Sequence, residues 1–231
     1  IIFQTRHLPI PDYSGLEIKL CNVNIKQVTS VKFLGALIDH NLEWYVHTKH
    51  LEKKLSSALY ILNRVKDILS DKLLRTLYYS LVYSHLNYAS MLWTVTYDYN
   101  KDHLQILQNM CLRAITKSDS DATANPLFVK TKTLKIDDIG RLNILKLMYG
   151  YSKGTLPDPL MNLFQQNRSI HSYNTRHAND PHTLPHKYQL MGECFLRKGP
   201  ELWGKLSNDI KNAPSKKSFA KRAKNLLISM Y

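Results

Sequence analysis

A stripe of apolar side chains between Leu51 and Leu69 constrains the fold more than any other feature of this sequence. Its members alternate between spacings of four and three residues, which places them on one face of a helix: Leu51, Leu55, Ala58, Leu62, Val65 and Leu69. Ser70 and Asp71 then favour the start of a second helix, because Ser caps backbone N–H groups and Asp complements the helix dipole. A restart so soon indicates an antiparallel pair within the chain, with a short coiled-coil seam for a partner as the alternative.

The rest of the chain also predicts a mainly α-helical protein. The second helix has an apolar face formed by Leu74, Leu77, Leu81 and Val82. Residues 117–125 are small and polar and predict a loop, and residues 165–192 have too little periodicity for a regular element. Further helices are expected at about residues 101–116, from an N-cap at Asn125 before Pro126, from a cap at Asp137 to Tyr149, at about 200–206 and at about 215–230.

The first 40 residues predict strands instead of helices. Residues 18–23 and 28–33 alternate between apolar and polar side chains, as half-buried strands do. Phe33, Leu34 and Gly35 come next, and Gly tolerates the backbone conformations of a tight turn. We therefore expect a small β-hairpin region whose bend lies at residues 33–35 and leads directly into the long helix.

The charge of the chain indicates a polyanionic partner. Its 231 residues contain 32 Lys and Arg against 18 Asp and Glu, which gives a formal net charge of +14. Such an excess favours binding to nucleic acid first and to an anionic membrane surface second. No apolar run approaches the roughly 18 residues that span a membrane. The 14 tyrosines add rings that can stack on bases when they are exposed.

The cysteines indicate the redox compartment of the protein, and its first residues indicate how the chain begins. Cys21, Cys111 and Cys194 are too few and too far apart for a disulfide framework or a Cys-x-x-Cys half-site, which favours a reducing compartment. The chain begins at Ile1 without Met or a basic n-region, so its start is not that of a signal peptide. We interpret it as a segment of a longer polypeptide.

The pair Asp137-Asp138 is the one place where the sequence suggests a polymerase-like carboxylate doublet. Such a doublet needs a tight hairpin that presents both carboxylates to two metal ions about 4 Å apart. Here the pair opens a helical pattern, where acids serve as caps or first-turn residues. We therefore assign no catalytic residue.

Several histidines invite a metal-site interpretation. His171, His177, His182 and His186 precede Cys194, and the last two histidines have a ligand-like spacing. However, Pro185 interrupts that pair and only one cysteine lies nearby, so we interpret the histidines as loop residues and predict no metal site.

Two groups of cations predict a surface for phosphates. The first lies off the apolar stripe of the long helix, and the second lies in a terminal run whose Phe219 is expected to face inward. The groups are Lys53, Lys54, Arg64 and Lys66, then Lys216, Lys217, Lys221, Arg222 and Lys224. Lys32, Tyr173 and Arg176 complete the candidate nucleic-acid-binding set, with Tyr97 and Tyr99 as further stacking rings. A merely solvated face, and a membrane-surface helix at the end of the chain, are the alternatives.

Six segments, in this order, resemble the end of the palm, the thumb and the post-thumb region of non-LTR (LINE-type, jockey-like) retrotransposon reverse transcriptases. They cover nearly the whole chain. The segments are VKFLGALID at 31–39 with LEW at 42–44 and His47, LYYSLVYSHLNY at 77–88 with Trp93, LQN at 107–109, RAIT at 113–116, HSYNTR at 171–176 and GPELW at 199–203.

The resemblance implies three parts: the end of a palm at 1–40, a thumb-like helical bundle at 41–120 and a basic helical C-terminal segment at 121–231. Phe33, Leu34 and Gly35 would then be a primer grip, a rigid hairpin that holds the 3′ end of the primer in line for reaction. The thumb would close on the template–primer, whose A-form-like duplex is recognised by shape and phosphates. The expected fold is mainly α with a small N-terminal β-hairpin region.

The same resemblance limits the activity of this chain. The family's catalytic Tyr-x-Asp-Asp hairpin and an earlier aspartate would precede Ile1, so this chain alone is expected to be inactive as an RNA-directed DNA polymerase. It would carry no cofactor, because magnesium would bind in the missing palm. The zinc knuckle found in some relatives has no counterpart here.

The implied partners are RNA, RNA–DNA duplex and the remainder of the reverse transcriptase polypeptide, with no membrane. The implied setting is intracellular, in the nucleus or in a cytoplasmic ribonucleoprotein. The alternative is a degenerate or host-adopted transposon remnant that acts as a basic helical interaction module without enzymatic activity.

Overall fold

The computed structural model describes residues 1–3, 17–170, 178–187 and 192–231. Over these residues the protein is mainly α-helical with small antiparallel strand pairs near the N-terminus, which confirms the predicted fold class. The three-part division of the chain stays a prediction.

Two short β-hairpins form the N-terminal region. The first pairs β1 (Lys19–Leu20) with β2 (Val23–Asn24), and the second pairs β3 (Ser30–Phe33) with β4 (Ala36–Asp39). In the second hairpin Phe33 lies opposite Ala36, so the bend consists of Leu34 and Gly35. Both have positive φ, 47° and 89°, as a type I′ turn requires. The predicted bend is therefore confirmed.

The long helix α1 (Tyr45–Val65) follows the second hairpin after a short connection. Its predicted stripe is confirmed for Leu51, Leu55, Ala58 and Leu62, which are all buried. The stripe packs within the chain against α5 (Asp98–Thr116), the helix expected at 101–116. The intramolecular interpretation of the stripe therefore holds, but the predicted partner, the helix that follows Ser70, was wrong, because α1 packs mainly on α5.

Between α1 and α5 the chain forms a composite helix and a short one. α2 (Asp71–Tyr78) continues through a π-helical turn (Tyr79–Tyr83) into α3 (Ser84–Asn87), and α4 (Ser90–Trp93) follows. In the π-helical turn the Ser84 N–H donates to the Tyr79 carbonyl, five residues back. Ser70 occupies the predicted N-cap position of α2 but its side chain forms no capping hydrogen bond, and Asp71 lies in the first turn as predicted.

Two predicted helix starts were wrong by two residues. α6 (Ala124–Thr131) begins after Thr123, so Asn125 is inside the helix and not its N-cap. α7 (Ile136–Ser152) begins after Lys135, so Asp137 is a first-turn acid and not a cap. In α7 the first helical residue, Ile136, is buried, and this burial fixes the start more strongly than a capping side chain does.

The C-terminal segment contains α8 (Asp158–Met161), α9 (Asn167–Ile170), α10 (Phe195–Gly204), α11 (Asn208–Lys211) and α12 (Lys216–Ile228). The prediction that α10 begins at Pro200 was wrong, because Pro200 lies inside the helix. Gly199 of α10 approaches α7 so closely that an added Cβ would lie 2.6 Å from the Met148 sulfur, and this packing outweighs the helix-breaking tendency of proline.

One continuous apolar core extends from Ala36 to Ile228. Trp93, Tyr78, Phe128 and Phe219 are among its largest fully buried side chains. Phe219 stacks on Tyr149 of α7 with 4.6 Å between ring centroids, so its predicted inward orientation is confirmed. This contact fixes α12, with its cations, against α7.

Candidate nucleic-acid interface

The tip of the second hairpin presents apolar side chains to solvent. Phe33 is 60% exposed and Leu34 is 78% exposed, and Lys32 beside them is also exposed. The hydroxyl of Tyr88 donates a hydrogen bond to the Leu34 carbonyl and ties the tip to the end of α3. An added Cβ on Gly35 would lie 3.5 Å from the Tyr88 ring, so the positive φ of Gly35 restricts this position more than space does. The arrangement can position a bound strand; it contains no reactive group.

Hydrogen bonds hold the base of this hairpin to α1. The Leu37 N–H donates to Nδ1 of His47 at 3.4 Å, and Oδ1 of Asp39 accepts from the Glu43 N–H at 2.7 Å. The His47 ring is 3% exposed and lies between the rings of Trp44 and Trp93. Burial, and then the charge of His50, lowers the pKa of His47 to about 4. The hairpin is thus attached to the helical bundle through a neutral histidine.

The predicted basic face of α1 is exposed. Lys53, Lys54 and Arg64 are exposed, and Lys66 is half-buried. The guanidinium of Arg64 lies over the ring of Tyr60, 5.4 Å from its centroid, which orders the Arg64 side chain without neutralising it.

One of these lysines, Lys54, lies near histidines of α1 and α3. His50 lies one turn before Lys54 on α1, and His85 of α3 is near both. Burial, then the charge of Lys54 and then that of His50 lower the pKa of His85. The lowered pKa favours the neutral form of His85, so the positive charge at this position is that of Lys54.

The predicted cations of α12 divide into two kinds. Lys216, Lys217 and Lys221 are exposed. Arg222 donates through Nη1 to the carbonyl of Asp209 at 2.5 Å, so it also holds α11 to α12. Lys224 is half-buried and belongs to the series described next.

Four cations from α2, α7 and α12 are linked in a series by their electrostatic interactions, in the order Arg75, Lys224, Lys146 and Lys216. Burial, and then the charge of Lys216, lowers the pKa of Lys146. Burial, and then the charges of Lys146 and Arg75, lowers the pKa of Lys224. Sequence reasoning missed Arg75 and Lys146, because neither belongs to a run of cations and only the fold brings each of them near Lys224.

By contrast, the acidic pair Asp137-Asp138 is occupied by cations and a hydroxyl. Oδ1 of Asp137 pairs with Lys101 at 2.8 Å, and Oδ1 of Asp138 pairs with Arg141 at 2.8 Å. Oδ2 of Asp138 accepts from the hydroxyl of Tyr231 at 2.8 Å. The two carboxylates therefore have separate partners, as expected for structural first-turn acids.

The remaining predicted residues are only partly described. Tyr97 and Tyr99 stack on each other at 5.5 Å with 9° between their planes, and Tyr99 is 60% exposed. Tyr173 and Arg176 lie outside the described residues, as do His171 and His177. His182 contacts Asn167 through Nδ1 at 3.0 Å. No group of three or more His, Cys, Asp or Glu side chains suited to a metal ion occurs within residues 1–3, 17–170, 178–187 and 192–231.

Comparisons with known proteins give no further assignment. No family model matches the chain, and no curated protein or solved structure matches it either. Among the described helices, none combines the length and the apolar character needed to cross a membrane.

Proposed function

We propose that this chain is the end-of-palm, thumb and post-thumb part of a non-LTR retrotransposon reverse transcriptase and that it binds template–primer nucleic acid. One observation carries the proposal. In the described part of the chain, none of the predicted nucleic-acid-binding cations forms an ion pair with a carboxylate, whereas Lys101, Arg141, Arg197 and Lys198 all do. Cations that have no carboxylate partner are available to phosphates.

The hairpin tip has a positioning role in this proposal. Phe33, Leu34 and Gly35 would contact the primer end, and Lys32 would contact a backbone phosphate. Holding a reacting strand in place contributes much of the rate of a phosphoryl transfer even when the hairpin does no chemistry. The Tyr88 hydrogen bond and the His47 attachment supply the rigidity that this role needs.

The proposed ligands are RNA and RNA–DNA duplex, bound with little sequence preference. Phosphates would contact the basic face of α1 and the cations of α12, and the exposed Tyr99 ring would stack on an unpaired base. The remainder of the reverse transcriptase polypeptide, with its magnesium-binding aspartates, would be the other partner, inside the nucleus or a cytoplasmic ribonucleoprotein.

A salt titration of duplex affinity tests the proposal. Each phosphate contact that is lost lowers the slope of log affinity against log salt by about 0.7–0.9. Replacing Lys216, Lys217, Lys221, Arg222 and Lys224 together by Gln should therefore flatten the slope for a labelled RNA–DNA duplex. Lys205→Gln removes an exposed lysine that pairs with Glu201 and is the matched control.

Two results would count against the proposal. Equal slopes for the wild type and the five-site variant would assign these cations to a solvated face. Absence of duplex binding by the wild type at low salt would favour the alternative of a transposon remnant without nucleic-acid binding.

A further inference from the structure

We propose that the C-terminal segment contains a site for one unpaired nucleotide of RNA. The base would occupy a cavity lined by side-chain amides, and the phosphate would occupy an adjoining hollow lined by two lysines. The identification of the nucleic acid as RNA rests on the proposed function. The site itself rests on the two adjoining cavities and on the groups that line them.

The first cavity lies between the end of α7, the β-bridge of Gln166 with Pro181, and the helices α10 and α11. Its volume is about 360 Å³, which is within the range of small-molecule sites. Four of its lining residues carry side-chain amides: Gln166, Asn179, Asn208 and Asn212. Within the described residues, none of these side-chain amides has a hydrogen-bond partner. We call this space the amide cavity.

Other residues that line the amide cavity are bound to one another. Oδ1 of Asp180 accepts from Nε1 of Trp203 at 3.2 Å, and Oδ2 pairs with Nζ of Lys211 at 3.1 Å. Trp203 is buried, and the Lys211 side chain is 11% exposed. Hydrogen bonds to charged groups are strong, so this part of the wall is well fixed. The amides are the groups left to bind a ligand.

The chemistry of the amides favours a nucleobase. Each side-chain amide has N–H donors beside a carbonyl acceptor, and the edge of a base has donors and acceptors at matching spacing. Asn and Gln pair in this way with N6 and N7 of adenine. A purely apolar ligand would leave the amides unpaired, which is unfavourable in a closed cavity.

An adjoining hollow supplies a place for the phosphate. Lys153 and Asn212 line both spaces, and Lys216 of α12 lines the second. Within the described residues, neither lysine forms an ion pair with a carboxylate. Nζ of Lys153 lies 5.6 Å from the centroid of the Tyr149 ring, and the Tyr149 hydroxyl donates to the carbonyl of Ala213, which also lines the hollow, at 2.8 Å. One aromatic residue therefore contacts two parts of the hollow.

The pairing of the two spaces favours a nucleotide over a peptide. Peptide amides could also pair with side-chain amides, but a peptide backbone has no charge to bring between two lysines. A nucleotide carries its base and its phosphate on one sugar. A strand bound here would continue toward the exposed cations of α12, which begins at Lys216.

Binding of labelled single-stranded RNA to the full chain tests the site. The probes are a short adenosine oligonucleotide and an oligonucleotide with the same sugar–phosphate backbone but no bases. We expect the wild type to bind the adenosine oligonucleotide about tenfold or more tightly than the abasic one, because an amide–base pair contributes at least that factor.

Variants separate the two halves of the site. Asn208→Ala combined with Asn212→Ala should remove the preference for the adenosine oligonucleotide and leave the abasic affinity unchanged. Gln166→Ala tests the amide cavity from the β-bridge if the double variant fails to fold. Asn225→Ala, which removes an exposed amide of α12, is the control that should keep the preference.

Lys153→Gln should weaken the binding of both oligonucleotides and lower the slope of log affinity against log salt by about 0.7, because one phosphate contact is lost. Lys205→Gln is again the matched control and should keep the slope.

The outcomes for the site and for the proposed function are distinguishable. Equal affinities of the wild type for the two oligonucleotides would overturn the nucleotide site and favour a peptide as the ligand of the amides. An unchanged base preference in the double variant would overturn the site even if the RNA–DNA duplex still bound. A base preference that the double variant abolishes, without duplex binding by the wild type, would support the site and overturn the proposed function.

Discussion

Leu34 has a backbone conformation that does not suit its side chain. Its φ of 47° lies in the left-handed region, which costs an L-residue with a Cβ about 1 kcal/mol or more. The side chain recovers little by burial, since it is 78% exposed. Under the proposed function, this exposed side chain would contact the primer end.

Replacing Leu34 by Asn should therefore stabilise the protein. Leu34→Asn creates Asn-Gly, the preferred pair for a type I′ turn, and should raise the free energy of unfolding by about 1 kcal/mol in urea denaturation. Leu20→Asn, at an exposed strand position with ordinary φ, should give no such gain. Under the proposed function Leu34→Asn should also weaken duplex binding; a loss of stability would contradict the assigned turn.

His47 should make the protein sensitive to acid. Its pKa is about 4 in the folded protein, against about 6.5 in an unfolded chain. The unfolded state therefore binds more protons between these two values, so stability is complete above pH 6.5 and falls as the pH decreases. The loss by pH 4 should reach about 3 kcal/mol.

A substitution can isolate this contribution. His47→Leu should remove most of the pH dependence of urea unfolding between pH 6.5 and pH 4, while costing about 1–2 kcal/mol at pH 7.5 because the Leu37 N–H loses its acceptor. His186→Gln, which replaces an exposed histidine, should retain the dependence. An unchanged profile in His47→Leu would assign the acid sensitivity to other groups.

At the scale of elements, the sequence predicted the features that depend on nearby residues and missed those that depend on tertiary packing. The stripe from Leu51 to Leu62 predicted α1 because the spacing of apolar residues within one helix shows which face of that helix is buried. The bend at Leu34 and Gly35 was likewise visible in nearby residues. The starts of α6, α7 and α10 were missed because packing against other helices decides them. The interactions of Arg75 and Lys146 with Lys224 were missed for the same reason, since no spacing along the chain relates α2 or α7 to α12.

Tyr231, three residues after the end of α12, holds the start of α7. The Tyr231 hydroxyl accepts from the Lys135 N–H at 2.8 Å and donates to the buried carboxylate of Asp138. Burial, and to a lesser degree the charge of Asp138, raises the pKa of Tyr231. Two helices distant in sequence are therefore joined at one hydroxyl.

Removing that hydroxyl should weaken the C-terminal segment. Tyr231→Phe should lower the free energy of unfolding by about 1–3 kcal/mol, because it leaves a buried carboxylate oxygen and a backbone N–H without their partner. Tyr60→Phe removes a hydroxyl on the exposed side of α1 and should cost little. Equal small effects in urea denaturation would mean that water replaces the Tyr231 hydroxyl.

At the scale of the whole molecule, the distribution of carboxylates predicts the catalytic behaviour. Asp137 and Asp138 are committed to Lys101, Arg141 and Tyr231. Two-metal phosphoryl transfer needs carboxylates that converge on the ions. The purified chain should therefore give no primer extension with magnesium or manganese on any template–primer. Robust extension that Asp137→Asn abolishes would show that these acids are catalytic after all.

The π-helical turn at Tyr79–Tyr83 has a consequence for the alignment of this sequence with homologues. A turn closed by a bond to the fifth residue back contains one residue more than an α-helical turn, and such turns occur mostly as single local expansions within an α-helix. A homologue in which this stretch is α-helical would have one residue fewer between Tyr78 and Ser84. Such a homologue would align with this chain only through a one-residue gap there, inside a helix, where gaps are ordinarily penalised most.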